Sequence, residues 1–265
     1  MSMLRQLSIA ALAASMALNA APPSLAIDVA TAKMIDLTHP LDANTIYWPT
    51  EKRRFELNEI HKGVTARGFF YAAYSFCAPE HGGTHVDAPF HFADRGQTTG
   101  AISIDRLRGP AVVIDITAEA ANYTDYTLTA EDVGAWEQEH GRIPAGAIVL
   151  LRTGWSSRWP NKRAYLGDDT PGDASNLHFP SYGANAAKLL IERGVAVLGV
   201  DTASIDHGPS KDFLVHRLAG AANVVGLENA TNLEQLPATG AWVIVLPIKM
   251  ANSSGAPARA VAFVP

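Results

Sequence analysis

Three histidines and an aspartate fall within eleven residues of this chain, His81-Gly82-Gly83-Thr84-His85-Val86-Asp87-Ala88-Pro89-Phe90-His91. Imidazole and carboxylate are the side chains that bind divalent cations through nitrogen and oxygen, and imidazole also carries protons near neutral pH. Gly82-Gly83 disfavours a regular helix, so a shared helical face is a poor explanation of the spacing. A tight loop that turns two imidazoles towards one point explains it better, and Pro89 biases Ala88 towards extended backbone at the exit. Two imidazoles and a carboxylate suit zinc or manganese, and a carboxylate such as Asp87 can bridge two ions. The alternative is a set of surface or core histidines, because nine histidines in 265 residues cluster by chance in some chains.

A second acidic group stands in an unusual place. Glu228 ends the apolar run Val224-Val225-Gly226-Leu227. A buried carboxylate there needs a metal ion or an arginine for compensation, unless it only ends a strand at a turn.

Composition narrows the possibilities. Hydrophobic residues make up 48% and charged residues 18%, enough apolar surface for a sizeable core. A net charge of -5 leaves no footprint for nucleic acid, and the one basic run, Lys52-Arg53-Arg54, is soon followed by Glu56 and Glu59. Cys77 is the only cysteine, which excludes an internal disulfide and a thiolate-rich metal site. It is expected to be a small buried apolar side chain. Arg5, the Leu7 to Leu18 apolar run, Pro22-Pro23 and Ser24-Leu25-Ala26 together predict a cleaved export signal over residues 1–26. Residues 27–265 then form the folded domain in the periplasm or outside the cell, without a membrane span after cleavage.

Elements must position the cluster. Strands are expected at Ala111–Ile116, Ala147–Leu151, Val195–Val200 and Trp242–Leu246, from apolar runs with β-branched residues. One helix is expected after the N-cap Thr129, with Val133 and Trp136 on one face and Gly141 as a stop. A second should run from about Gly183 to Arg193 and end at Gly194. The class is α/β, a single compact domain of mixed sheet with flanking helices, with sheet order not readable.

The segment His81 to His91 resembles the HxGTHxDxPxH signature of the cyclase family of metal hydrolases, which includes bacterial kynurenine formamidases and isatin hydrolases. Asp201-Thr202-Ala203-Ser204-Ile205-Asp206 is similar to that family's DTxSID stretch. His216 and Glu228 resemble its C-terminal histidine–glutamate pair, and Asp36-Leu37-Thr38-His39-Pro40-Leu41 resembles its opening strand and turn. The resemblance implies a swivelling β/β/α fold and a centre of one or two divalent ions per subunit. It implies that His81, His85 and Asp87 hold one ion, and that Asp87 bridges to a second held by His216 and Glu228. His91 becomes the acid/base residue, and Trp48 and Ser204 lie near the substrate. Assembly as a homodimer or larger homo-oligomer is expected on the same grounds.

The chemistry expected is hydrolysis of a small aromatic amide or lactam, arylformamidase-like or isatin hydrolase-like, by metal-activated water. Phe69, Phe70 and Tyr71 could add to an aromatic wall, although aromatics are more often core than pocket. Export argues against N-formylkynurenine as the physiological substrate. Two alternatives stand beside this expectation: lactone or ester hydrolysis or a cyclase-type dehydration at the same centre, and a periplasmic metal- or ligand-binding protein without catalysis. Among the other histidines, His39 is expected to be structural and His207 could line the pocket. His61, His140 and His178 have no motif context.

Overall fold

The fold is seen in a computed structural model that describes residues 27–265; the expected export segment lies outside the described residues. In its first half the chain forms β1 (Lys33–Asp36), a hairpin of β2 (Glu56–Val64) and β3 (Phe70–Cys77), then β4 (His85–Asp87) and β5 (Arg108–Asp115). Helix α1 (Thr117–Asn122), β6 (Thr127–Leu128), α2 (Ala130–His140), β7 (Ile148–Arg152) and α3 (Lys162–Leu166) follow. The second half contains β8 (Ser181–Tyr182), α4 (Ala184–Glu192), β9 (Val197–Val200), α5 (Leu214–Ala221), β10 (Val225–Glu228), β11 (Trp242–Pro247) and β12 (Gly255–Val264).

The four strands expected from apolar runs are β5, β7, β9 and β11, with ends shifted by a residue or a few. β5, β7, β9 and β10 are parallel neighbours, and β11 adds antiparallel to β5. β12 pairs with β11, and β4 bridges β10 to the start of β12, which closes seven strands into a barrel. β1 continues the β4 edge by pairing with the far end of β12.

Alternation along the parallel strands supplies two cores rather than one. Ala111, Val113, Ile148, Leu150 and Val197 point into the barrel, where Val225, Leu227, Val243, Val245 and Ala260 meet them. Val112, Ile114, Val149, Leu151 and Leu198 point outward and are covered by Val133 of α2, Leu190 of α4 and Val215 of α5. Strands buried on both faces read as unbroken apolar runs, which is why these were the legible ones. Leu150, Leu151 and Leu190 are fully buried, each contributing about 1.5–3 kcal/mol of transfer free energy.

The helices follow their predicted signals. Thr129 caps α2 and forms a reciprocal box with Asp132, and α4 ends at Gly194 in left-handed backbone at φ 78°. A third, smaller core of Ile46, Trp155, Tyr165 and Phe179 packs with Trp48 and stiffens the loops around one barrel end. Cys77 departs from expectation: it ends β3 and is exposed, with the Arg53 guanidinium 3.8 Å from its sulfur rather than an apolar cover.

Candidate metal centre

Two strands, one helix and one loop deliver the five expected ligands to one place. β4 carries His85 and Asp87 on one face, and its antiparallel register with β10 sets Glu228 beside His85. α5 carries His216 above them, and the loop before β4 carries His81. Asp87 is flanked in register by two glycines, Gly226 on β10 and Gly255 on β12. A Cβ on Gly255 would lie 2.4 Å from His81 Cε1 and 2.7 Å from the Val86 carbonyl oxygen, so this glycine makes the room in which His81 sits.

Hydrogen accounting shows how the three imidazoles are oriented. His85 Nδ1 lies 2.9 Å from the Gly83 carbonyl, which can only accept, so Nδ1 carries the hydrogen. Its Nε2 then presents a lone pair 3.2 Å from Asp87 and 3.4 Å from Glu228, and has no hydrogen-bond partner among the described residues. His216 Nδ1 donates to Asp206 Oδ2 at 2.7 Å, which leaves its Nε2 lone pair 3.0 Å from Asp87 Oδ2 and 3.1 Å from Glu228 Oε1.

His81 repeats the pattern. Ser254 Oγ spends its one hydrogen on Glu80 Oε2 at 2.6 Å, so it accepts from His81 Nε2 at 2.9 Å. The His81 Nδ1 lone pair then faces Asp87 Oδ1 at 2.7 Å. Glu80 is held in turn by the backbone N–H groups of Ser254 and Gly255.

Each ring therefore donates outward and aims a lone pair inward, at carboxylate oxygens that also carry lone pairs. Only a cation relieves that arrangement. Without a metal ion His85 and His216 take up protons. Burial disfavours a charged His85, yet Asp87 and Glu228 raise its pKa to about 9. His216 is raised well above its ordinary value against the same burial cost, by Asp206, Asp87 and Glu228. Asp87, although fully buried, is held well below the usual carboxylate range by His81, His216 and His85. One or two divalent ions supply the same positive charge with fewer desolvated groups, and the nitrogen and oxygen donors fit such an ion. Asp87 belongs to both sets of close donor atoms, His81–Asp87–His91 and His85–Asp87–Glu228.

The centre forms the floor of a cavity of about 250 Å³. Ile46, Trp48, Phe92 and Phe213 wall it, with Trp48 edge-on to Phe179 and tilted against Phe213. Ser204 lines it too, but its hydroxyl accepts from the Asp206 N–H at 3.1 Å, so it also shapes the turn that presents Asp206. His91 stacks on His81 with ring centroids 3.9 Å apart, and burial outweighs nearby Asp87 to lower its pKa to about 4. It is a neutral imidazole at pH 7.

Several expectations fall outside the site. Phe70 and Tyr71 lie on the exposed hairpin, with Phe69 just before it, and none lines the cavity. The real aromatic wall includes Phe92 and Phe213, which carried no motif. His207 is not among the lining residues. His39 stacks on Trp159 at 4.2 Å, and His178 pairs with Asp125 at 2.7 Å, both structural contacts. Asp206, Glu80 and Ser254 were missed as supports; Asp206 lay in a stretch already singled out, whereas Ser254 has no signal beyond its later proximity.

Lone pairs converging on carboxylates at the base of a small aromatic cavity are what water activation by a metal requires, and they define a metal-dependent hydrolase. The Cyclase family model matches residues 35–207, and the chain belongs to that family. It is 36% identical to the isatin hydrolase of Roseibium aggregatum over 217 residues, covering 78% of this chain and 81% of that one. It is 25% identical to a kynurenine formamidase of Bacillus cereus over 242 residues, covering 87% and 97%. Among solved structures, an isatin hydrolase bound to the product analogue thioisatinate superposes with a TM-score of 0.82 at 32% identity, covering 89% of this chain and 94% of that one. Isatin hydrolase A from Ralstonia solanacearum gives 0.80 at 35% identity, covering 89% and 93%.

Proposed function

We propose that this protein hydrolyses the C–N bond of a small aryl lactam or amide, with an isatin-like fused ring as the preferred class. The observation that carries this is the inward aim of three imidazole lone pairs at Asp87 and Glu228 beneath an aromatic wall. The higher identity to isatin hydrolase than to kynurenine formamidase supports a lactam over an open formamide.

In this reading His81, His85 and Asp87 would hold one divalent ion, and His216 and Glu228, sharing Asp87, would hold a second. An ion bound there would acidify a water molecule and polarise the substrate carbonyl. Trp48 and Phe213 clamp the aromatic ring, and with Ile46 and Phe92 they keep bulk water from the reacting carbon. His91, neutral at pH 7, accepts the proton from the attacking water and returns it to the leaving nitrogen. Water oxygen joins the carbonyl carbon, the C–N bond breaks, and an arylamine and a carboxylate result. Zinc and manganese both suit the donors. The protein works after export, in the periplasm or outside the cell, as a homo-oligomer.

The test is turnover by zinc- and manganese-loaded protein of isatin, formanilides and simple aryl lactones. Isatin should give the highest kcat/KM. Full metal occupancy with no hydrolysis of any of the three would sink the proposal, and faster lactone than lactam opening would move the chemistry to esters.

A further inference from the structure

Asn229 directly follows Glu228, and it is the one carboxamide among the described residues that line the cavity. No lysine or arginine is among those lining residues. Asn229 is buried and sits in left-handed backbone at φ 55°, a region that asparagine visits more readily than most residues. Its amide is held from two sides. The Gly83 carbonyl can only accept, so Asn229 Nδ2 donates to it at 2.9 Å, and the same carbonyl anchors His85. Oδ1 faces the other way, towards the hydroxyl of fully buried Tyr165. That hydroxyl donates to Oδ1 at 2.9 Å and shares its one hydrogen with the Asp201 carbonyl at 3.0 Å.

These contacts fix which end of the amide is which, and they use only one of the two Nδ2 hydrogens. The second meets no acceptor among the described residues. A buried N–H group is costly to leave unpaired. Asn229 stands between the ligand Glu228, its neighbour in sequence, and the carbonyl that orients the ligand His85. A substrate oxygen brought to those ligands comes within reach of this second hydrogen.

We propose that Asn229 is a catalytic residue that donates its second amide hydrogen to the scissile carbonyl oxygen as that oxygen becomes negative. Tyr165 is then a positioning residue that keeps the amide the right way round. The assignment rests on the hydrolysis proposed above. As the water oxygen bonds to the carbonyl carbon, the π pair moves onto the carbonyl oxygen, and the hydrogen bond from Asn229 strengthens with the charge. When the C–N bond breaks, its pair leaves on nitrogen, which takes the proton carried by His91. The oxygen pair re-forms the carbonyl, and Asn229 keeps its hydrogen throughout. A carboxylate of the same shape would aim lone pairs at both the Gly83 carbonyl and the substrate oxygen, so only the amide suits this position.

Kinetics on isatin and formanilide, with zinc titration and thermal melting of each variant, test the assignment. Asn229→Asp and Asn229→Gly should each lower kcat about 10²- to 10³-fold, with KM within about threefold. Glycine accepts the left-handed backbone, so zinc affinity of Asn229→Gly should stay within about threefold of wild type. Tyr165→Phe should lower kcat about tenfold with zinc affinity unchanged. Binding of phenylphosphonate, whose tetrahedral oxygens imitate the oxyanion, should weaken in the same order as kcat falls. Wild-type kcat in Asn229→Asp overturns the assignment. So does a loss in Asn229→Gly that saturating zinc restores, because Asn229 then acts only through Gly83 and His85. If the glycine variant fails to fold, Asn229→Asp and Tyr165→Phe decide. A wild-type chain that turns over neither substrate overturns the hydrolysis reading and this assignment with it, whereas turnover with indifferent variants overturns this assignment alone.

Discussion

Asp206 Oδ2 accepts two hydrogen bonds from His216, one from its backbone N–H at 3.0 Å and one from its Nδ1 at 2.7 Å. Its other oxygen accepts the Val215 N–H at 3.0 Å, so one carboxylate caps the start of α5 and fixes the tautomer of a metal-facing ring. Asp206→Asn should keep the shape but weaken acceptance from Nδ1. The expected loss is about 10- to 100-fold in metal affinity, read by competition with a chromogenic chelator. Unchanged affinity would leave Asp206 as a helix cap alone.

Ser254 and Glu80 do for His81 what Asp206 does for His216. Ser254→Ala removes the acceptor for Nε2–H, and His81 can then flip to the other tautomer, which aims no lone pair at Asp87. Metal affinity should fall about tenfold, with fold stability nearly unchanged, because both side chains sit at the edge of the site. Calorimetric titration with zinc distinguishes this from simple loss of packing.

His91→Ala tests the proton carrier. It should lower kcat by about 10²- to 10⁴-fold while KM moves little. Metal analysis of the same protein decides between carrier and ligand, because His91 also lies close to His81 and Asp87. Loss of an ion together with activity would make it a ligand.

Proton and metal compete for the same inward lone pairs. In the metal-free protein His85 binds its proton more tightly folded than unfolded, with a pKa raised from 6.5 to about 9, and His216 is raised as well. The stability they contribute is therefore complete below pH 6.5 and is lost as pH rises towards about 9. Metal-free protein should melt progressively lower across that interval, whereas saturating zinc or manganese should flatten the dependence. Thermal melting from about pH 6 to about pH 9.5 in both states checks it; parallel curves would show that no ion replaces those protons.

Much of this protein was legible from local chemistry. His81, His85, Asp87 and His91 announce themselves by residue type and by the glycines and proline between them. β5, β7 and β9 show through because strands buried on both faces read as continuous apolar runs, and α2 through its Thr129–Asp132 box. β4 is only three residues long, β10 is four and carries Gly226, and β12 includes Pro257, so periodicity could not find them. Cys77, Phe70 and Tyr71 misled for one reason: residue type and nearness in sequence do not tell whether anything packs over a side chain.

The sequence alone therefore determined which groups could hold a cation and, through the family signature, which distant residues would join them. Only the tertiary structure decided how they meet. Glu228 lies beside His85 because β10 pairs antiparallel to β4, and Gly226 and Gly255 flank Asp87 because β4 sits between two strands distant in sequence. Barrel closure sets those registers through many weak packing contacts at once. No local pattern encodes such a sum, so the outward partners Asp206, Ser254 and the Gly83 carbonyl became visible only in the folded chain.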